Sequence, residues 1–122
     1  KNPMKKFYFL STCDTCRRIL NHLQLNEDFE LQDIKKTAIT PEELAHLKSL
    51  SGSYESLFSK RAKLYKELGL KEKPLNDTDY KNYILEHYTF LKRPVLVIDD
   101  KLFIGNSPKI INSAKTALLN EK

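Results

Sequence analysis

The sequence predicts an α/β fold: a mixed sheet laid down as β-α-β, then a helical insertion, then β-β-α. Three observations carry that reading. The apolar run Phe7-Tyr8-Phe9-Leu10 leads within a few residues into apolar positions at helical spacing. Phe29-Glu30-Leu31-Gln32-Asp33-Ile34 alternates apolar and polar residues, the period of a strand. Near the end, Val95-Leu96-Val97-Ile98 is wholly apolar and is followed by a short turn, a second apolar run and a last amphipathic segment.

The first β-α-β unit comes from residues 7–34. Cys16, Ile19, Leu20 and Leu23 fall on one face of a helix that begins just after Ser11-Thr12-Cys13-Asp14. The crossover is long enough for the strands at 7–10 and 29–33 to run parallel. Thr40-Pro41-Glu42-Glu43 then reads as a helix start, with Thr40 as N-cap, Pro41 in the first turn and Glu43 closing a capping box. Leu44, Leu47 and Leu50 continue that helix to a stop near Gly52. Residues 54–68 read as helical in short pieces, with Leu57, Leu64 and Leu68 facing inward and Gly69 as C-cap. A further helix capped at Asn76, Asp77 or Thr78 is expected to bury Tyr80, Tyr83, Ile84 and His87. Val95–Ile98 and residues 102–104 form an antiparallel hairpin through Asp99-Asp100-Lys101. Ser107-Pro108 caps a closing helix with Ile110, Ile111, Ala114, Ala117 and Leu118 on one face.

At 122 residues the chain reads as one domain, residues 4–119, with the insertion at about 40–90 packed on the same sheet. Lys1-Asn2-Pro3 precede Met4, so Met4 reads as the natural start and the first three residues as an added remnant. No apolar run reaches membrane-spanning length and no export signal is visible, so a cytoplasmic protein away from membranes is expected. The formal net charge is +5, but lysines are interleaved with acidic residues and form no dense block. That pattern fits a solvated surface, and no direct nucleic-acid binding is expected. Tyr80, Tyr83 and Tyr88 read as helix packing rather than a base-stacking platform. No Gly-rich phosphate loop occurs.

Chemistry concentrates at Cys13-Asp14-Thr15-Cys16, which holds the only cysteines of the chain. The thiolate is the nucleophile, and the first turn of a helix offers free N–H groups and the positive end of the helix dipole. Both favour a thiolate at Cys13, and Arg17 and Arg18 add positive charge nearby. Cys16, one turn further in, lies on the apolar face. Cys13 is therefore the candidate attacking thiol and Cys16 the resolving one. The alternatives are an inert structural pair or half of a zinc site. Zinc would need two further ligands, and His22, His46 and His87 do not have the usual spacing, so no metal is expected. In a reducing compartment a close cysteine pair is more often catalytic or redox-sensing than structural.

The order of elements is that of the thioredoxin architecture, and four segments together resemble the arsenate reductase-related family, the ArsC, Spx and YffB group. They are the first strand with Cys13-Asp14-Thr15-Cys16-Arg17-Arg18; the stretch Ser59-Lys60-Arg61-Ala62-Lys63-Leu64-Tyr65-Lys66-Glu67-Leu68-Gly69-Leu70; Leu91-Lys92-Arg93-Pro94-Val95-Leu96-Val97; and Gly105 with the closing helix. The resemblance implies a cis bond between Arg93 and Pro94, with both residues beside Cys13. Arg93 would then present a charged, planar donor to an oxyanion or carboxylate. It also implies substrate-binding roles for Arg17, Arg61 and Pro94. Asn106 stands where the family has a signature arginine, Ser59 aligns with a second, and Cys16 occupies a usually small position. These departures favour dithiol–disulfide switching over arsenate chemistry.

Two functions follow from the resemblance. One is a thiol–disulfide oxidoreductase with no bound cofactor, passing electrons from a glutathione or glutaredoxin system to a small oxyanion or a protein disulfide. The other is an Spx-like redox sensor that docks on the RNA polymerase α-subunit, with Gly52 near the position those regulators use.

Overall fold

The computed structural model describes residues 4–121, so the reading of residues 1–3 as a remnant lies outside the described residues. The chain divides into two compact units, one formed by the residues up to Thr37 together with those from Arg93 onward, the other by Ala38–Lys92.

The first unit holds a four-stranded mixed sheet in the order β2-β1-β3-β4, with β1 at Lys5–Phe9, β2 at Glu30–Asp33, β3 at Val95–Ile98 and β4 at Lys101–Ile104. β1 pairs parallel with β2, with Phe9 opposite Asp33. β3 pairs antiparallel with both β1 and β4. The expected parallel pair and hairpin are thus both present. Every residue of β3 is buried, as its unbroken apolar run requires of a strand flanked on both sides. The β3–β4 turn needs a left-handed residue, and Asp99 supplies it at φ 56°.

Two helices of this unit, α1 at Asp14–Leu23 and α5 at Pro108–Asn120, bring their apolar faces to one core. Phe7, Leu96 and Ile98 from the sheet meet Ile19 and Leu23 from α1 and Ala114 and Ala117 from α5, with Phe29 beside them. Burial of each large side chain there contributes about 1.5–3 kcal/mol. The alanines of α5 let that helix approach closely. Lys115 reaches from α5 to the far end of α1, where its Nζ donates to the carbonyl of His22 at 2.9 Å. That carbonyl is one of those a helix end leaves without an intrahelical partner, and a cation there also suits the dipole. Leu31 departs from the simple alternation. It is 48% exposed because β2 is an edge strand, while Gln32 is buried and donates to the Thr37 carbonyl at 2.9 Å.

The second unit contains α2 at Pro41–Ser51, α3 at Lys63–Glu67 and α4 at Asp77–Glu86, with 3₁₀ turns at Glu55–Leu57, Leu70–Glu72 and Tyr88–Phe90. The capping box at Thr40 and Glu43 is formed in both directions. α2 ends at Gly52, whose φ of 98° lies in the left-handed region. Asn76 caps α4, also with a reciprocal box, to Asp79. An aromatic cluster forms this unit's centre: the Phe58 ring stacks on Phe90 at 5.1 Å and meets Tyr80 edge-on at 4.8 Å.

Two inward-facing assignments are corrected here. Leu68 is 45% exposed, because α3 closes after five residues and the chain turns through Gly69 to bury Leu70 instead. His87 is exposed rather than on the buried face. The helix stops at Glu86, and His87 swings to an extended φ of −151°, where its Nδ1 accepts the Thr89 N–H at 3.0 Å.

Candidate active site

Strand β1 ends against the loop Leu10-Ser11-Thr12, and α1 begins one residue after Cys13. Cys13 is the N-cap, with extended backbone (φ −97°, ψ 116°). Its N–H donates to the Leu10 carbonyl at 3.0 Å, and its carbonyl accepts the first helical bond from Arg17 at 3.1 Å. Cys16 sits one turn in, on the face that carries Ile19 and Leu23, and is 1% exposed. Both thiols are free.

The two thiols are pushed in opposite directions. At Cys13, burial raises the pKa, but several influences together outweigh it. These are the Cys16 N–H and thiol, the Thr15 N–H and the Arg93 charge, and the net result lies below the ordinary 9.0. The amides of the first helical turn face the sulfur, as the sequence predicts. At Cys16, burial is the largest influence and pushes the thiol up to about 11. A hydrogen bond at the Leu10 backbone and the charge of Arg93 oppose that rise; the neighbouring Cys13 sulfur adds to it.

Arg93 and Pro94 follow the second unit and open β3. The peptide bond between them is cis. Pro94 is buried and Arg93 half-buried, and the Arg93 charge lowers both thiol pKa values. Arg17 turns back over the loop, where its guanidinium donates to the Ser11 carbonyl and the Asp14 carboxylate. Arg18 is exposed and donates to Thr15 Oγ1 at 3.3 Å. Arg61 belongs to the second unit, exposed in the turn before α3. Asn106 and Ser107 begin the connection into α5, with Ser107 Oγ accepting the Ile110 N–H at 3.2 Å.

One pair at this site was not singled out from sequence. Ser11 Oγ donates to Asp33 Oδ2, joining the cysteine loop to the end of β2. The only signal for it was the strand register: placing Phe9 opposite Asp33 brings the residues just beyond β1 beside the end of β2. Among the described residues, no group of three or more His, Cys, Asp or Glu side chains is arranged to hold a metal ion. None of the described helices is long and apolar enough to cross a membrane.

A four-stranded mixed sheet in the order β2-β1-β3-β4, with a cis-proline before its central strand β3 and a helix following β1, is a thioredoxin-like fold. Residues 8–114 match the model of the ArsC family, and the chain belongs to that family. The resemblance read from the four motifs is borne out. The chain is similar to the regulatory protein MgsR of Bacillus subtilis, 27% identical over 104 residues that cover 84% of this chain and 82% of the relative. It is similar too to the global transcriptional regulator Spx 2 of Bacillus anthracis, 28% identical over 105 residues, covering 84% and 79%. Among solved structures, an arsenate reductase from Vibrio cholerae superposes with a TM-score of 0.73 over 93% of this chain and 99% of that one. Its identity is 24%, a likeness that speaks to the fold alone.

Proposed function

We propose that this protein carries out dithiol–disulfide exchange in the cytoplasm, with Cys13 as nucleophile and Cys16 as resolving thiol. The observation that supports this is the opposed acidity of two thiols one helical turn apart: Cys13 lowered and half-exposed, Cys16 buried and raised to about 11. The Cys13 thiolate attacks one sulfur of a disulfide, whose S–S bond breaks; the departing thiolate takes a proton from solvent. Charge at Cys13 vanishes in the mixed disulfide, and with it one of the influences that hold the Cys16 proton in place. Cys16 then loses its proton and attacks Cys13 Sγ, releasing the second substrate thiolate. The substrate gains two electrons and the chain keeps a Cys13–Cys16 disulfide. Glutathione or a glutaredoxin supplies the two electrons that restore the dithiol. Arg93, whose charge acts on both sulfurs, is the donor for an anionic group on the substrate, a small oxyanion or a protein carboxylate. Arg17, Arg61 and Pro94 are assigned to substrate binding on the family resemblance.

A second reading is favoured by the relatives, since MgsR and Spx 2 are both named as regulators. In it the same dithiol is a sensor, and its oxidation state sets affinity for the RNA polymerase α-subunit. The chemical step is common to both readings. It is tested by mixing Cys13→Ser and Cys16→Ser with a small disulfide and following adducts by mass spectrometry. Cys16→Ser should accumulate a mixed disulfide on Cys13, and Cys13→Ser should stay unmodified. An adduct preferring Cys16 would reverse the assignment. Disulfide turnover driven by glutaredoxin, set beside α-subunit binding by the oxidised and reduced protein, separates enzyme from sensor.

A further inference from the structure

A cysteine is a poor helix N-cap. Preferred caps carry a side-chain oxygen that accepts an N–H of the first turn at close range; Cys13 offers a larger sulfur, which the Thr15 and Cys16 amides face without closing a regular cap hydrogen bond. A weak cap does little to fix the loop that aims the Cys13 sulfur, and stronger bonds hold that loop from elsewhere. It is held at Ser11, two residues before the cysteine, and from both sides. The Ser11 carbonyl accepts from Arg17, which Asp14 fixes in turn. The Ser11 hydroxyl donates to Asp33.

Asp33 is set before Ser11 reaches it. Its Oδ1 accepts the Lys35 N–H at 3.1 Å, and its carbonyl accepts from Lys36 and Thr37 at 3.0 and 2.9 Å. The next residue is tied to β1 by a bond from the Ile34 N–H to the Phe9 carbonyl at 2.9 Å. The Ser11 hydroxyl, ahead of burial, holds the Asp33 carboxyl below its ordinary range, with Lys35 and Ser11 backbone bonds and the Lys36 charge adding to the effect. Asp33 is not among the groups that lower the Cys13 pKa. Its use here is geometric.

We propose that Asp33, acting through the Ser11 hydroxyl, is a positioning residue for Cys13, fixing the loop that presents the sulfur to the amides of α1. The proposal rests on the reading of Cys13 as the nucleophile.

The test is the pH profile of Cys13 alkylation in the whole 122-residue chain, resolved from Cys16 by peptide mass spectrometry, with circular dichroism and thermal melts to report folding. Asp33→Ala and Ser11→Ala should each slow Cys13 alkylation at neutral pH about three- to tenfold by lowering its thiolate fraction. The double variant should be no slower than either single one, since both remove the same bond. Asp33→Asn keeps an acceptor oxygen and discards the charge, so it should stay within about twofold of the parent. A Ser11→Ala protein with the parent profile would overturn the proposal, and so would Asp33→Asn matching Asp33→Ala. If Asp33→Ala does not fold, Ser11→Ala and Asp33→Asn decide. A parent protein whose Cys13 is no more acidic than Cys16 would instead defeat the dithiol reading itself. Parent acidity with unaffected variants defeats the positioning role alone.

Discussion

Cys13 and Cys16 share a helical turn, yet burial reaches them unequally, and their titrations should separate. Cys13 alkylation should rise with pH around a midpoint below 9.0, whereas Cys16 should respond only near 11. Arg93→Gln removes a charge that lowers both, so both midpoints should move up, and thiol-specific alkylation across pH would register a failure to do so. The same values set a stability trend. Cys16 has a folded pKa above the ordinary 9.0, so between about pH 9 and 11 the unfolded chain gives up its proton first. Its contribution therefore falls as pH rises through that window, by at most about 1.4 kcal/mol per pH unit. Cys13 has the opposite sign: its lowered pKa gives stability that is complete above the ordinary value and fades as pH falls through the folded one. Urea unfolding at pH 8 to about 10.5 should show the decline, and Cys16→Ala should lessen it.

At the scale of elements, local signals were legible and distant ones were not. The Thr40–Glu43 and Asn76–Asp79 boxes each join residues three apart, so the sequence displays both partners at once. Thr40→Ala should cost about 1 kcal/mol in urea unfolding, the usual loss for a cap. Gly52 is a matching case, because any side chain at φ 98° is strained; Gly52→Ala should destabilise by about 1 kcal/mol. The cysteine pair and its helix were legible for the same local reason, and the cis bond before β3 through the family resemblance. Ser11 and Asp33 lie 22 residues apart and meet only because of the β1–β2 register, which one strand's periodicity does not reveal. His87 and Leu68 were misjudged because helical spacing says where a face lies, not where the helix ends. Leu68→Ala, at an exposed site, should therefore shift stability by no more than about 0.5 kcal/mol.

For the molecule as a whole, the sheet and its two helices make a core of their own, with Leu96 at 2% exposure in the middle of the sheet. Leu96→Ala should cost about 2–5 kcal/mol, far more than Leu68→Ala, and unfolding curves of the two would expose a wrong account of the core. The α/β order was legible because strand and helix periods differ plainly along the chain. No run of glycine, proline or low-complexity sequence marks the boundaries at Ala38 and Lys92; the insertion at about 40–90 was legible only from the change of element order, which locates such edges to within a few residues.

The reach of Lys115 to the carbonyl of His22 bears on what a minimal version of this protein would be. A fragment cut after Asn106 would keep both cysteines, the Arg93–Pro94 pair and the Ser11–Asp33 bond. It would lose the cation that closes the far end of α1, and with Ala114 and Ala117 the surface on which Phe7 and Leu96 rest. The helix that carries the thiols would fray from the end opposite to them. The last helix contributes no reactive atom, yet shortening the chain there would disarm the thiol.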